Sequence, residues 1–493
     1  MKLKMIAAAA TLAASQAYAV APGATANIEF FISGASAQDK NIGNYIENNL
    51  CILNGQSVGG INGDFDTFLE GTKGKKYRAW SCVVDHTKVT SANAGDVLVI
   101  HKRSKGGSGY GVVPVAQQAS ISRMDLPNAN CTDADGDSVW NCDPEATVAT
   151  VDAAPLVGVS DVEPKVFKGY NAVAEFGDVA QVDLDSLTVK AQSQVVFGVP
   201  VTTELRDVLQ QAQGLTVGAE DEANMPSLSS NLVRSLFTGQ VTSWYDVVDA
   251  NNTDLVTLAG ANAPDTDSVA LCVRDSGSGT RAQFMINFLR TSCLDSALPP
   301  FLVPGGTWPM LKSNPGSGDM GVCVSNFDGD GDQAAQDGES SGDTVHWAIG
   351  YQSTEKNMDL GDNYRFVKID GAAPTLQNVA NDKYTDWVEQ SMQWNTAAYN
   401  GSSAVIKQII TFIADEAGQP GIIAQLNPKY VHQWGQGGYM AKPTDYFGIQ
   451  APAFPFTVAY PVNRTTRSPA GQSPDSCRPP VHVNGAWPAA SAQ

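Results

Sequence analysis

The chain has 493 residues, 43% of them hydrophobic, with 51 Asp plus Glu against 31 Lys plus Arg for a formal charge of −20. That length exceeds what one hydrophobic core supports and calls for two or more lobes. The acidic balance argues against nucleic acid as a partner, and it requires that any anionic ligand be captured by local groups against a repulsive overall field.

The N-terminus, MKLKMIAAAATLAASQAYAVAP, has Lys2 and Lys4, a short apolar run, and Ala17-Tyr18-Ala19 in the A-x-A pattern of signal peptidase sites. We read 1–19 as a secretion signal cleaved near Ala19. No cysteine directly follows that point, and no later segment has the roughly 18 consecutive apolar residues a spanning helix needs. A soluble, exported protein is expected, periplasmic or secreted. Its eight cysteines, Cys51, Cys82, Cys131, Cys142, Cys272, Cys293, Cys323 and Cys477, then fall in an oxidising compartment and allow up to four disulfides. Cys131 with Cys142 is the most credible local pair, and the other pairings stay open. The absence of C-x-x-C argues against zinc or a redox motif.

Apolar patterning predicts a strand, a Gly/Ser-rich turn and a helix in succession at three places. These are IEFFISG before AQDKNIGNYIENNL, DVLVIHKRS before YGVVPVAQQ, and VALCVRD before RAQFMINFLRTS. The alternation predicts an α/β fold with helices flanking sheets. Such turns can cradle anions, because the first N–H groups of a helix lack internal partners and carry the positive end of its dipole. Each turn alone also reads as ordinary capping. Arg274, which opens the third turn, sets it apart, since a guanidinium fork matches an oxyanion.

Between the second and third of these units lies CTDADGDSVWNCD, with Asp133, Asp135 and Asp137 at alternate positions. After the third comes NFDGDGDQAAQDGES, where Asp328, Asp330, Asp332 and Glu339 follow an EF-hand-like count, although Gln333 stands where that loop wants glycine. Structural calcium is a candidate at the second segment and a weaker one at the first. A solvated acidic loop explains either equally well. From Asn463 the composition turns Pro/Ser/Ala-rich, and the tail over 463–493 is expected to be poorly ordered apart from what Cys477 anchors.

The third turn, Arg274-Asp275-Ser276-Gly277-Ser278-Gly279-Thr280, resembles the R-x-x-G-S-G-T loop of periplasmic phosphate-binding proteins, the receptors of phosphate ABC transporters. Other pieces follow in that family's order. FISGASAQD (31–39) resembles its first glycine loop, KGGSGYGV (105–112) its second, and VGVSDVEP (157–164) its G-A-S-D-x-P segment. LFTGQVTSWYDV (236–247) is similar to its F-x-G-x-I-x-x-W-x-D signature. GSGDMGVCV with AIGYQ follows, and then DGAAPTLQNVANDKY (370–384). The likeness spans Phe31 to Tyr384, with insertions near 53–95, 113–154 and 325–345.

The resemblance implies a two-lobed α/β fold, the type II periplasmic binding protein fold, with the ligand in a cleft between lobes, insertions and a C-terminal extension. Lobe I would comprise 26–199 and 355–462, lobe II 200–354. It implies capture of inorganic phosphate for delivery to an ABC permease, by a monomer with no required cofactor. Carried over, Arg274 would pair with the anion, while Ser278, Gly279 and Thr280 would donate hydroxyl and backbone N–H groups and Ser108 a hydroxyl. Gln38 and Asp39 depart from the family's Thr-Phe. Gln38 can still donate from its amide and Asp39 from its backbone, but the added carboxylate makes local charge less friendly to an anion. Asp161 is an acceptor that selects an anion still carrying a proton, hence phosphate over sulfate; alone it would read as an N-cap. Trp244, Tyr245, Tyr351 and Tyr384 read as packing residues.

An enzyme reading is weak. Ser278 fails the G-x-S-x-G elbow because Ser276 precedes it, and His86, His101, His346, His432 and His482 show no metal-ligand spacing. Two alternatives keep the fold: a secreted or surface-associated binder not coupled to import, and a receptor for another oxyanion such as sulfate, arsenate or molybdate.

Overall fold

Seven residues of IEFFISG form a strand buried except at Glu29, which is why the run lacks strict alternation: parallel strands covered on both faces are apolar throughout. In the computed structural model, which describes residues 26–290, 310–327, 346–441, 456–468 and 473–482, this strand lies inside a large mixed sheet. The expected signal sequence, Cys293, and the acidic set Asp328, Asp330, Asp332 and Glu339 lie outside the described residues.

The elements that position the candidate site are β1 (Ile28–Gly34), α1 (Asp39–Tyr45), β2 (Phe65–Glu70), β3 (Tyr77–Val83), β4 (Val97–Arg103), β5 (Val157–Ser160) and β6 (Leu187–Thr202). They continue with β7 (Ala270–Arg274), α2 (Gly279–Asn287), β8 (Met310–Asn314), α3 (Ser317–Asn326), β9 (Tyr364–Ile369), β10 (Trp387–Asn395) and α4 (Ala404–Glu416).

In one half of the sheet β1 runs parallel to β4 on one side and to β5 on the other. β5 then pairs antiparallel with β10, and β4 antiparallel with β3. In the other half β7 is parallel to β8 and to the short strand Ala348–Ile349. Strand β6 belongs to both halves. Its first part, from Leu187 to Val196, pairs with β10, and its last part, Val199 to Thr202, pairs with β9. A register irregularity between Ala191 and Gln194 interrupts the first ladder.

Each half has its own core. The first packs α1 and α4 on the β1–β4–β5 face, with Ile42, Tyr45, Ile409, Ile410 and Ile413 against Ile32, Ile100 and Val159. The second gathers Trp244, Leu271, Val273, Phe284, Met320, Trp347 and Tyr351 around β7. This is the two-lobed α/β class expected from the sequence.

Three findings differ from, or sharpen, the sequence reading. The segments read as insertions near 53–95 and 113–154 are structured: β2, β3 and Val139–Cys142 extend the first half of the sheet, and Cys131–Cys142 is bonded as expected. Disulfides Cys51–Cys82 and Cys272–Cys323 add to it, and Cys477 is also disulfide-bonded. The expected poorly ordered tail is corrected over 463–468 and 473–482, where the short strands Thr465–Thr466 and Val481–His482 pair. The reason is the buried carboxylate of Glu389, which accepts from the Thr466 and Ser468 hydroxyls and the Arg467 backbone N–H. Composition had hidden a polar dock that fixes the backbone.

Candidate functional site

Parallel strands send their carboxyl ends to one edge of a sheet, where ligands of open α/β sheets bind. Here β1, β4 and β5 end flush, Ser33 beside Arg103 and Gly34 beside Val159. Their exits are the loops beginning at Ala35, Ser104 and Asp161. From the other lobe β7 and β8 end side by side at Arg274 and Asn314. The structure therefore brings four of the singled-out motifs to a single interlobe boundary. The lobes touch there through their backbones as well, the Gly109 N–H donating to Gly277 O at 2.7 Å.

Arg274 is 2% exposed, and burial pulls its pKa below the ordinary arginine value. Its backbone N–H donates to the Tyr351 hydroxyl at 2.9 Å, and Nε donates to Asn314 O at 3.1 Å. Nη1 reaches Ser317 Oγ at 2.9 Å and Thr280 Oγ1 at 3.4 Å, and Nη2 reaches Pro315 O at 3.1 Å. A cation held this way is fixed in orientation before any ligand arrives, which limits the ordering cost of binding.

Thr280 links the lobes. Its hydroxyl donates to Asp161 Oδ2 at 3.3 Å, while Gln390 Nε2 donates to Oδ1 at 3.4 Å. Burial raises the Asp161 pKa from 3.8 to about 6, opposed by the Gln390 hydrogen bond and the Arg274 charge. Ser108 Oγ accepts the Asp161 backbone N–H at 3.1 Å. Ser278 caps α2, its hydroxyl oxygen accepting from the Arg281 N–H at 3.3 Å. Gly279 sits where nothing larger fits: a Cβ there would lie 2.2 Å from Ser108 Oγ and 2.9 Å from Asp161 Cβ. Ser108, Asp161, Arg274, Ser278, Gly279 and Thr280 thus stand together.

Gln38 and Asp39 adjoin this group but act differently from expectation. The Gln38 amide donates to Ser160 O at 2.8 Å and Ser391 O at 3.2 Å, so its donor is already engaged by the protein. The unfriendly charge read at Asp39 is corrected: its carboxylate lies 3.0 Å from Lys102 Nζ and 3.3 Å from Arg78 Nη2, and accepts from Ser104 Oγ at 2.8 Å. Lys102 is fully buried, and its pKa is lowered by burial against the opposing pull of Asp39. Asp39 is a neutralised tie holding the first loop, not a free negative charge.

Sequence reasoning missed Ser317, Ser36 and Gln390. Ser317, the first residue of α3, accepts from Arg274 and pairs at 3.0 Å with Ser36 Oγ from the other lobe. The signal was present, since both serines lie in quoted motifs, FISGASAQD and GSGDMGVCV. Of the aromatics, Trp244, Tyr351 and Tyr384 are buried, with Tyr351 touching the Arg274 backbone, whereas Tyr245 is corrected to an exposed residue. Asp133, Asp135 and Asp137, in the loop between Cys131 and Cys142, have carboxylate oxygens within 4.8 Å of one another.

The hydrogen bonds run from the Arg274 guanidinium to Thr280 and Ser317, from Thr280 to the buried Asp161 carboxylate, and between Ser317 and Ser36, with Ser108 against the Asp161 backbone. Donors grouped near a buried carboxylate suit a small oxyanion that retains a proton.

No family model matches the chain, and no curated protein matches it. Among solved structures it is similar to a candidate phosphate ABC transporter substrate-binding protein from Clostridium perfringens with bound phosphate, at 13% identity and TM-score 0.39, over 81% of this chain and 97% of that one. An ABC-type phosphate transport receptor from Vibrio cholerae matches at 10% identity and TM-score 0.37, over 80% and 98%. A phosphate binding protein from Stenotrophomonas maltophilia matches at 11% and 0.35, over 79% and 84%. These superpositions are loose, and the functional reading rests on the chain's own geometry. Among the described residues no helix is long and apolar enough to cross a membrane.

Proposed function

We propose that this chain is an exported solute-binding protein that captures inorganic phosphate between its lobes, 26–199 with 355–462 on one side and 200–354 on the other, and delivers it to an ABC permease. The observation that carries this reading is the meeting of Asp161 and Arg274 through Thr280 at the lobe boundary. Arg274 supplies charge for the anion. Asp161 accepts the hydrogen of a P–OH group, whereas a fully ionised sulfate has no hydrogen to give and would face an uncompensated carboxylate. Hydroxyls and helix N–H groups complete the shell without further charge, so the site works locally against the net −20 of the chain.

Hinge closure accompanies binding, since both lobes contribute contacts. Turnover is not expected. Ser278 is occupied as a helix cap, and a chromogenic phosphate ester should give no Ser278-dependent hydrolysis. Calorimetric titration against phosphate, arsenate, sulfate and molybdate tests the reading. Phosphate heat with no sulfate heat supports it, and tight sulfate binding without a phosphate signal overturns it.

A further inference from the structure

A cavity of about 300 Å³ takes its walls from both lobes, and its lining includes the Ser36–Ser317 hydroxyl pair, whose Ser317 accepts from the Arg274 guanidinium. That volume falls at the low end of small-molecule pockets and leaves room beyond a single tetrahedral ion. Its lining carries Lys40, Lys73, Lys75, Arg78 and Lys356 against two carboxylates, Asp39 and Asp362. Asp39 is already held by Lys102 from behind. In a chain with twenty excess negative charges, a concave surface with this sign is a local exception.

Arg78 is ion-paired with Asp39 at 3.3 Å and Lys40 donates to Glu355 O at 3.2 Å, so the looser cations are Lys75 and Lys356. Lys75 stands 3.8 Å from Asp319, and Lys356 stands 3.5 Å from Glu355. Burial, with Lys356 next in effect, pulls the Lys40 pKa down to about 8. Two buried donor atoms of lining residues lack acceptors, Arg78 Nε and the hydroxyl of Tyr364, whose residue is 0% exposed. Buried donors without partners are rare in folded proteins and are usually met by water or a ligand. Lysines, an arginine and a phenolic hydroxyl facing one cavity make a site for an anion of high charge density, not for a neutral organic group.

We propose that this vestibule is a second phosphoryl subsite and that the chain binds condensed phosphate, pyrophosphate being the smallest form, with one phosphoryl group at Arg274 and the next among Lys40, Lys73, Lys75, Arg78 and Lys356. The proposal deepens the phosphate reading above and rests on it. Two phosphoryl groups span the Ser36–Ser317 pair, whose hydroxyls turn to donate to the bridging region. The vestibule cations then offset the additional charge that would otherwise exclude a condensed phosphate from a site with a single arginine.

The test is calorimetry at constant ionic strength with orthophosphate, pyrophosphate and glycerol phosphate, on the wild-type chain, on the double variant Lys73→Ala/Lys356→Ala, and on Arg274→Ala. The wild type should bind pyrophosphate at least about tenfold more tightly than orthophosphate, and the double variant should lose that margin while its orthophosphate affinity moves less than about twofold. The retained orthophosphate binding also shows that the variant is folded. Pyrophosphate no tighter than orthophosphate, a margin indifferent to the two lysines, or glycerol phosphate bound as tightly as pyrophosphate would each overturn the proposal. Wild-type protein that ignores orthophosphate sinks the parent reading instead, and pyrophosphate binding that still depends on Lys73 and Lys356 would then support the vestibule as a site in its own right.

Discussion

Thr280, one residue into α2, donates its hydroxyl to Asp161 Oδ2 at 3.3 Å, and the two residues belong to different lobes and lie 119 positions apart. Thr280 also accepts from Arg274 at 3.4 Å. The cation and the carboxylate of the site are therefore connected through one hydroxyl across the lobe boundary.

Removing the cation tests the site most directly. Arg274→Ala should weaken phosphate binding at least about tenfold by titration calorimetry, because a desolvated anion loses its charged partner. Arg274→Lys should recover only part of the loss, since an ammonium cannot reproduce the planar fork. Unchanged affinity in Arg274→Ala would remove this residue from the site.

Asp161 predicts a linked pair of effects. Its folded pKa is raised from 3.8 to about 6, so the folded state holds the proton more tightly than the unfolded chain does. Stability from this group is therefore greatest below pH 4 and is lost as pH rises toward 6, staying low above it. Asp161→Asn removes that penalty. The ligand-free variant should be more stable than wild type at pH 7, by an amount on the order of 3 kcal/mol in denaturant unfolding. It should also bind phosphate more weakly and discriminate less against sulfate. A variant that is stabilised but equally selective would detach Asp161 from recognition.

Gly279→Ala separates folding from closure. Alanine is favoured over glycine within a helix, so α2 itself gains. The added Cβ collides with Ser108 and Asp161 of the opposite lobe. Thermal stability should be retained while phosphate affinity drops at least about tenfold, with a larger radius of gyration by small-angle scattering. Wild-type affinity in this variant would mean that the lobes need not approach this closely.

Glu389→Gln should release the segment after Asn463. Losing a charged acceptor that satisfies Thr466, Ser468 and the Arg467 backbone should cost about 1–3 kcal/mol. Limited proteolysis should then cut between 463 and 482. Protection equal to wild type would show that other contacts hold the segment.

Much of this architecture was legible because strands such as β4 and β7, buried along their whole length, open on the apolar runs VLVI and ALCV, and because Gly/Ser-rich turns follow them. Arg274, Ser278, Gly279 and Thr280 were visible as one contiguous motif. Ser317 stood in a motif of its own, but its link to Arg274 was not legible, since that depends on β8 lying beside β7, a pairing that no local pattern encodes. Asp39 was misjudged for the same reason: the cations that neutralise it come from β3 and β4, some 40 and 60 positions away. The tail was misread because Pro/Ser-rich composition describes a chain without a partner surface, whereas here Glu389 on β10 provides one.

Strand β6 is shared by both sheets, so the lobes are joined by a loaded beam and not by slack chain. Any parting of Arg274 from Asp161 must act on the stretch between Val196 and Val199, where β6 passes from its ladder with β10 to its ladder with β9.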